Sequence, residues 1–237
     1  MTNREPSAQD MLEYVNSKYI NHEDIVLQFN KSQRSVEERF HFTLFHLDEA
    51  QNYFEKLGLT QKEGIYQVQE MLRHRKDHNW ITLLSYYKAC VLAALQNIHS
   101  IADTLGTMVY FARGMDLNIT TRINKDRRYL NSIIEKITDY QELKDELLKI
   151  KTGDFMKINA LNNNAKHESI FLMLLRKSFE PNEDLGYRAK YEFKDDDGNI
   201  KVEMIDLHQL ISNEVKRCIA IRTTVRKLIL SEPAHKT

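Results

Sequence analysis

The chain has 237 residues, with 34 basic and 34 acidic side chains that cancel to zero formal charge, seven glycines, three prolines and two cysteines. Zero net charge removes the global attraction that holds a protein nonspecifically to nucleic acid, so RNA or a nucleotide must meet a local basic patch if it binds at all. So few glycines and prolines, with no proline between Pro6 and Pro181, exclude a turn-rich fold and predict long, unkinked helices.

The opening MTNREPSAQD has no basic stretch leading into an apolar core, so a cytoplasmic protein is expected. Residues 1–34 read as an N-terminal segment with short apolar clusters such as Met11, Leu12 and Val15. Residues 35–237 read as a single helical-bundle domain. Ser35-Val36-Glu37-Glu38 is a capping box, and Phe40, Leu44, Leu47 and Phe54 follow it at helical spacing up to Gly58. Thr60 and Glu63 form a second box ahead of Ile65, Val68 and Leu72.

The strongest element is a central helix, in which Leu84, Tyr87, Val91, Leu95, Ile98, Ala102, Leu105 and Val109 form one stripe up to Gly114. Lys88, Gln96, Asn97, His99 and Asp103 interrupt its hydrophobicity, so it is a core helix and no membrane partner is expected. Ile123 to Ile137 and Leu143 to Leu148 predict two modest helices, the second opened by a capping signal at Thr138 to Gln141. Phe155, Ile158, Leu161, Ile170, Leu174 and Phe179 predict one long helix ending before Pro181.

Beyond Pro181 the period changes from helix to strand. Tyr187, Ala189, Tyr191 and Phe193 alternate with polar residues, Asp197-Gly198 offers a turn, and Ile200, Val202 and Met204 alternate on the return. This predicts a β-hairpin over 187–205 that docks on the bundle, because two strands alone are marginal. A last helix starts near Asp206 and carries Leu210, Val215, Ile219, Ile221 and Leu228. The fold class is therefore all-α, a multi-helix bundle with one β-hairpin near the C-terminus.

Phosphate loops, dinucleotide-binding glycine patterns and Gly-x-Ser-x-Gly elbows are missing from the sequence. His74 and His78 stand four apart, but Arg73, Arg75 and Lys76 disfavour a cation there, and Asp195-Asp196-Asp197-Gly198 fails the calcium-loop spacing. Neither a metal nor a cofactor is expected, and Cys90 and Cys218 read as reduced thiols. Arg73 to Lys76, Arg122 to Arg128, and Arg222, Arg226 and Lys227 are the local basic runs, and solvated helix faces account for such runs more often than ligand sites do.

The polar run Asn162-Asn163-Asn164-Ala165-Lys166-His167 interrupts an otherwise apolar helix. Asparagine is a poor helix former, and Asn163, His167, Ile170 and Leu174 share helical spacing, which sets Asn163 and His167 on or beside a buried seam. His99 and Asp103, four apart on the edge of the central stripe, are the expected counterparts. A polar network that only specifies helix register accounts for these residues as readily as a functional site does.

His99-Ser100-Ile101-Ala102-Asp103 on a long helix, Asn163-x-x-Lys166-His167 on a later one, and a hairpin before a final helix resemble the HEPN superfamily of helical bundles over about half the chain. Many members cleave RNA or accompany nucleic-acid-directed defence systems. The resemblance implies a metal-independent ribonuclease in which an arginine a few residues ahead of a histidine acts on the RNA phosphate and 2′-hydroxyl. At the expected positions ahead of His167 stand Asn162, Leu161 and Ala160, so the guanidinium is absent and Lys166 supplies charge without its planar fork. Arginine–histidine pairs at suitable spacing occur from Arg34 to His41, Arg39 to His46 and Arg73 to His78, against about 1.6 expected by chance.

A HEPN-like protein in a nucleic-acid-linked or defence-related role is therefore the leading expectation, with a degenerate ribonuclease as its catalytic form. A noncatalytic interaction or dimerisation module, forming a homodimer, is the alternative. His167, Asn163 and Lys166 are the candidate catalytic residues, supported by His99 and Asp103.

Overall fold

A computed structural model describes residues 4–58, 73–74, 76–167, 173–176, 186–194 and 199–232. Among them are seven α-helices and a small sheet near the C-terminus, an all-α bundle. No described helix is long and apolar enough to cross a membrane. The chain divides into two compact units, the first Met1–Phe40, Ser100–Phe155 and Val215–Thr237, the second His41–His99 and Met156–Glu214.

Helix α1 spans Ala8–Lys18, and α2 spans Glu23–Lys56. Ser7 and Asp10 close a reciprocal capping box on α1, whose Met11 and Val15 are fully buried. The run from Glu23 to Lys56 is one helix, so Ser35 stands inside it rather than at its start. The reason is visible upstream: Ile25, Phe29 and Val36 extend the buried stripe of Phe40 and Leu47 toward the N-terminus, and nothing breaks it. Leu44, expected on that stripe, is exposed. Gly58 terminates the element at φ 71°, as its position predicts. The second capping box and the helix expected at Thr60 to Leu72 lie outside the described residues.

Helix α3, His78–Ala112, begins where the Asp77 carboxylate accepts the amides of Asn79 at 2.9 Å and Trp80 at 3.3 Å. Its stripe from Val91 to Val109 is buried as expected, while Leu84 is only half-buried. Gly114 ends the segment at φ 63°, and a Cβ there would stand 2.6 Å from the Tyr19 ring, so both the backbone and the packing require glycine.

A 3₁₀ turn at Lys125–Arg127 leads to α4, Leu130–Lys136, and α5, Gln141–Lys149. The first of these is shorter than the pattern from Ile123 predicts, and no side-chain cap forms at the start of the second. Helix α6 is Asp154–His167, and α7 is Leu207–Ser231, entered through the Asp206 carboxylate, which accepts the Gln209 amide at 3.0 Å.

Buried and half-buried ion pairs join distant segments of the first unit. Glu232, its side chain 3% exposed, accepts Arg113 at 2.6 Å and Lys18 at 3.1 Å, and Arg113 also reaches Asp139 at 3.0 Å. Glu37 takes both Arg222 at 2.5 Å and Arg226 at 2.6 Å.

Of the helix expected to continue to Phe179, the described part runs to His167, and Met173–Arg176 forms strand β1 where that helix was expected. A short apolar run serves either structure, and three asparagines weaken helical propagation before it. Strands β2, Gly186–Lys194, and β3, Ile200–Asp206, form the expected hairpin, extended by β1 into an antiparallel sheet of order β1-β2-β3.

The hairpin's register differs from the one its two apolar alternations suggest. Lys194 pairs with Ile200, Phe193 with Lys201 and Glu192 with Val202, so the apolar sets of the two strands fall on opposite faces. Val202 is accordingly exposed, whereas Ile205, opposite Ala189, is buried. The pairing spaces the strands by residues 195–199, a longer connection than a two-residue turn, and Asp197-Gly198 itself lies outside the described residues. Within the second unit, Lys157 on α6 binds Glu203 on β3 at 3.1 Å.

Candidate functional site

Helix α6 starts after Gly153, at φ 62°, with Asp154 in the first turn, where a carboxylate suits the helix dipole. Phe155, Ile158 and Leu161 turn inward and set the phase of the helix. That phase carries Asn162 inward and leaves Asn159 and Asn163 in solvent. Asn163, expected beside the buried seam, is therefore exposed. Its neighbour Asn162 is the buried one, at 1% exposure.

The misplacement has a simple origin. The expected phase ran from Asn163 through Ile170 and Leu174, and Leu174 lies on strand β1 rather than on this helix. Phased from Phe155 and Ile158 alone, the same sequence selects Asn162.

Neither the Nδ2 nor the Oδ1 of Asn162 has a hydrogen-bond partner in the protein. A buried amide left so costs about 1–3 kcal/mol per group, and sites that retain such a cost are often functional. His46 Nδ1 and Trp80 Nε1, also in the second unit, are buried without partners too.

On the outward side of α6, Asn159 Oδ1 stands 2.9 Å from His99 Nε2 on α3. An amide oxygen only accepts, so in this contact Nε2 is the donor. Asn159 was not anticipated. Its spacing of four from Asn163 and eight from His167 was the available signal, since those positions share one helical face.

His99 is thus brought to the helix that carries Asn163, Lys166 and His167, through Asn159. Lys166 and His167 occupy the last turn of α6. Asp103 serves the first unit: its Oδ1 accepts the Leu130 amide at 2.9 Å and so caps α4 from α3.

The basic runs divide sharply. Arg222 and Arg226 are taken up by Glu37, and Arg222 also covers the Phe40 ring at 5.0 Å. Desolvation holds the Arg226 guanidinium below its ordinary pKa, partly offset by Glu37. Arg128 is bound to Asp116 at 3.0 Å and lies over Tyr110 and Phe111. Lys125, Arg127 and Lys227 remain exposed.

His74 binds Asp77 at 3.3 Å and stacks on Trp80, which ties it to the start of α3. Among the described residues no three of His, Cys, Asp and Glu converge to hold a metal ion. Burial raises the Cys90 thiol above its ordinary pKa, with Glu49 adding to the shift, which makes it a poor nucleophile.

Family models, curated proteins and solved structures return no match to this chain. The chemistry of α6 and α3 is therefore the basis on which a function can be proposed.

Proposed function

We propose a HEPN-like helical protein in a nucleic-acid-linked or defence-related role, with its site on the outward face of α6 and His99 as the partner from α3. The observation that supports it most is the His99–Asn159 hydrogen bond of 2.9 Å, which brings an imidazole to the helix that carries Asn163, Lys166 and His167.

Two imidazoles can share general acid and base work on a ribose 2′-hydroxyl and a leaving oxygen, and exposed amides suit the edges of unstacked bases. Lys166 brings positive charge to a phosphate but not the bidentate fork of arginine, so the site favours holding RNA over cutting it fast. Asp103, engaged with Leu130, acts as a structural support.

The test is to compare His99→Ala and His167→Ala with the parent, measuring binding and cleavage of single-stranded RNA alongside the melting curve. Each variant should lose about tenfold in RNA affinity, near 1.4 kcal/mol, with an almost unchanged melting temperature. A parent that neither binds nor cuts RNA, or variants that melt far earlier with RNA binding intact, would remove the site.

A noncatalytic interaction module is the alternative. It is favoured by Phe42, Leu44 and Phe45, all exposed on α2 in the second unit.

A further inference from the structure

The first unit carries two bare surfaces of opposite character. One is a groove of about 640 Å³ along α1 and α2, lined by Glu13, Ser17, Ile20, Glu23, Val26 and Leu27 among others. Ser17 follows Glu13 at four positions on α1, Ile20 stands in the turn that follows that helix, and Val26 and Leu27 follow Glu23 at three and four on α2, so the groove is lined by a face of each helix and the turn between them. Ile20 is 77% exposed. Glu13 takes only a hydrogen bond from the neutral Gln9, and no charged partner meets Glu23 among the described residues.

The other surface is the turn after α3. Asn118 Oδ1 accepts the Thr120 amide at 2.9 Å, Thr121 donates to the Met115 carbonyl at 2.8 Å, and Arg122 Nε donates to the Asp116 carbonyl at 2.9 Å. Lys136 Nζ clamps the Thr120 carbonyl at 2.9 Å. Held in this way, the turn displays Ile119 at 87% exposure, with Leu117 exposed beside it. Lys125 and Arg127 follow on the 3₁₀ turn, exposed and without acidic partners, and Asp126 offsets only one of them.

An apolar tip on an already ordered turn loses little conformational freedom when it is covered. Pairing two grooves directly would set Glu13 and Glu23 against their own kind, which like charges oppose. The turn brings cations to those carboxylates and an aliphatic side chain to Ile20 and Leu27.

We propose that the turn around Ile119 of one copy seats in the α1–α2 groove of a second copy, with Lys125 and Arg127 against Glu13 and Glu23. Exchanged in both directions, this contact makes a closed twofold dimer. It uses none of the residues of the histidine site or of the Phe42–Phe45 face.

Sedimentation of the full chain across micromolar concentrations is the test. The mass should rise with concentration toward that of a dimer, and more salt should weaken the association. Ile119→Asp and Leu27→Asp should each leave a monomer with an unchanged melting curve, both positions being exposed. Glu23→Lys should weaken association about tenfold, and adding Arg127→Glu should restore it. A parent that stays monomeric throughout would overturn the proposal and leave the groove to a basic segment of another protein. Association indifferent to both aspartates, or charge reversals that do not rescue one another, would overturn it equally.

Discussion

The two units spend their polar residues differently. In the first, polar groups are matched to one another over long sequence distances: Glu232 joins Lys18 and Arg113, Glu37 joins Arg222 and Arg226, and Asp103 joins Leu130. In the second, Asn162 keeps both buried amide atoms without partners and His46 Nδ1 and Trp80 Nε1 are likewise unpaired, whereas the unpaired buried atoms of the first unit, Gln33 Oε1 and the Nε of Arg222 and Arg226, belong to side chains that bind through their other nitrogens. Phe42, Phe45, Ile81 and Tyr86 stand in solvent in the second unit, as Ile20 and Ile119 do in the first. Matched buried charges specify a structure, whereas unmatched polar atoms and bare aromatics are costs that packing does not explain. The contrast lies in how buried polar groups are partnered, since both units expose apolar side chains.

The largest effect should come from breaking that matching. Glu232→Ala leaves Arg113 and Lys18 without their buried carboxylate and should cost about 3 kcal/mol in chemical denaturation. Removal of an exposed aromatic, such as Phe45, should stay within about 0.5 kcal/mol, so a comparable loss from both would erase the distinction.

A second effect sharpens the comparison through pH. Burial raises Tyr19 from its ordinary 10.0 to about 12, against the pull of Lys18. The folded state holds this proton longer than the unfolded chain, so the stabilisation is complete below pH 10.0 and is lost as pH rises toward about 12. Tyr19→Phe should flatten that part of the stability curve, and an unaltered decline would mean that other groups set it.

The smallest effect has the opposite sign. Asn162→Leu replaces two unpaired amide atoms with a side chain of similar size and should raise stability by about 1 kcal/mol. If the amide also serves the proposed site, RNA binding falls while the melting temperature rises. Destabilisation would show that Asn162 is satisfied after all.

Much of this was legible in the sequence where one pattern ran unbroken. The stripe from Val91 to Val109 located α3 and its core because no competing signal crosses it, and Gly58 and Gly114 marked their helix ends through positive φ. Ser35 misled because a capping box inside a continuing helix looks the same as one at its start, and only Ile25 and Phe29 upstream decide between them. The hairpin was legible but its register was not, since the length of the connection fixes pairing and two alternating strands fit either offset. At the site, His99 was legible as a polar residue on a helix edge. Asn159 was hidden because its role depends on how α6 and α3 face one another, which no local spacing contains.

The bond from Leu130 to Asp103 sets a kinetic condition on the segment that follows α3. First-turn amides of a helix ordinarily trade their protons with solvent freely, having no carbonyl behind them. Leu130 instead reports on a carboxylate 27 residues earlier in the chain, so its deuterium uptake should follow the opening of α3 rather than the fraying of α4. A short helix with only seven residues of its own, Leu130–Lys136, then becomes a latecomer that waits for its longer neighbour before its first turn can close.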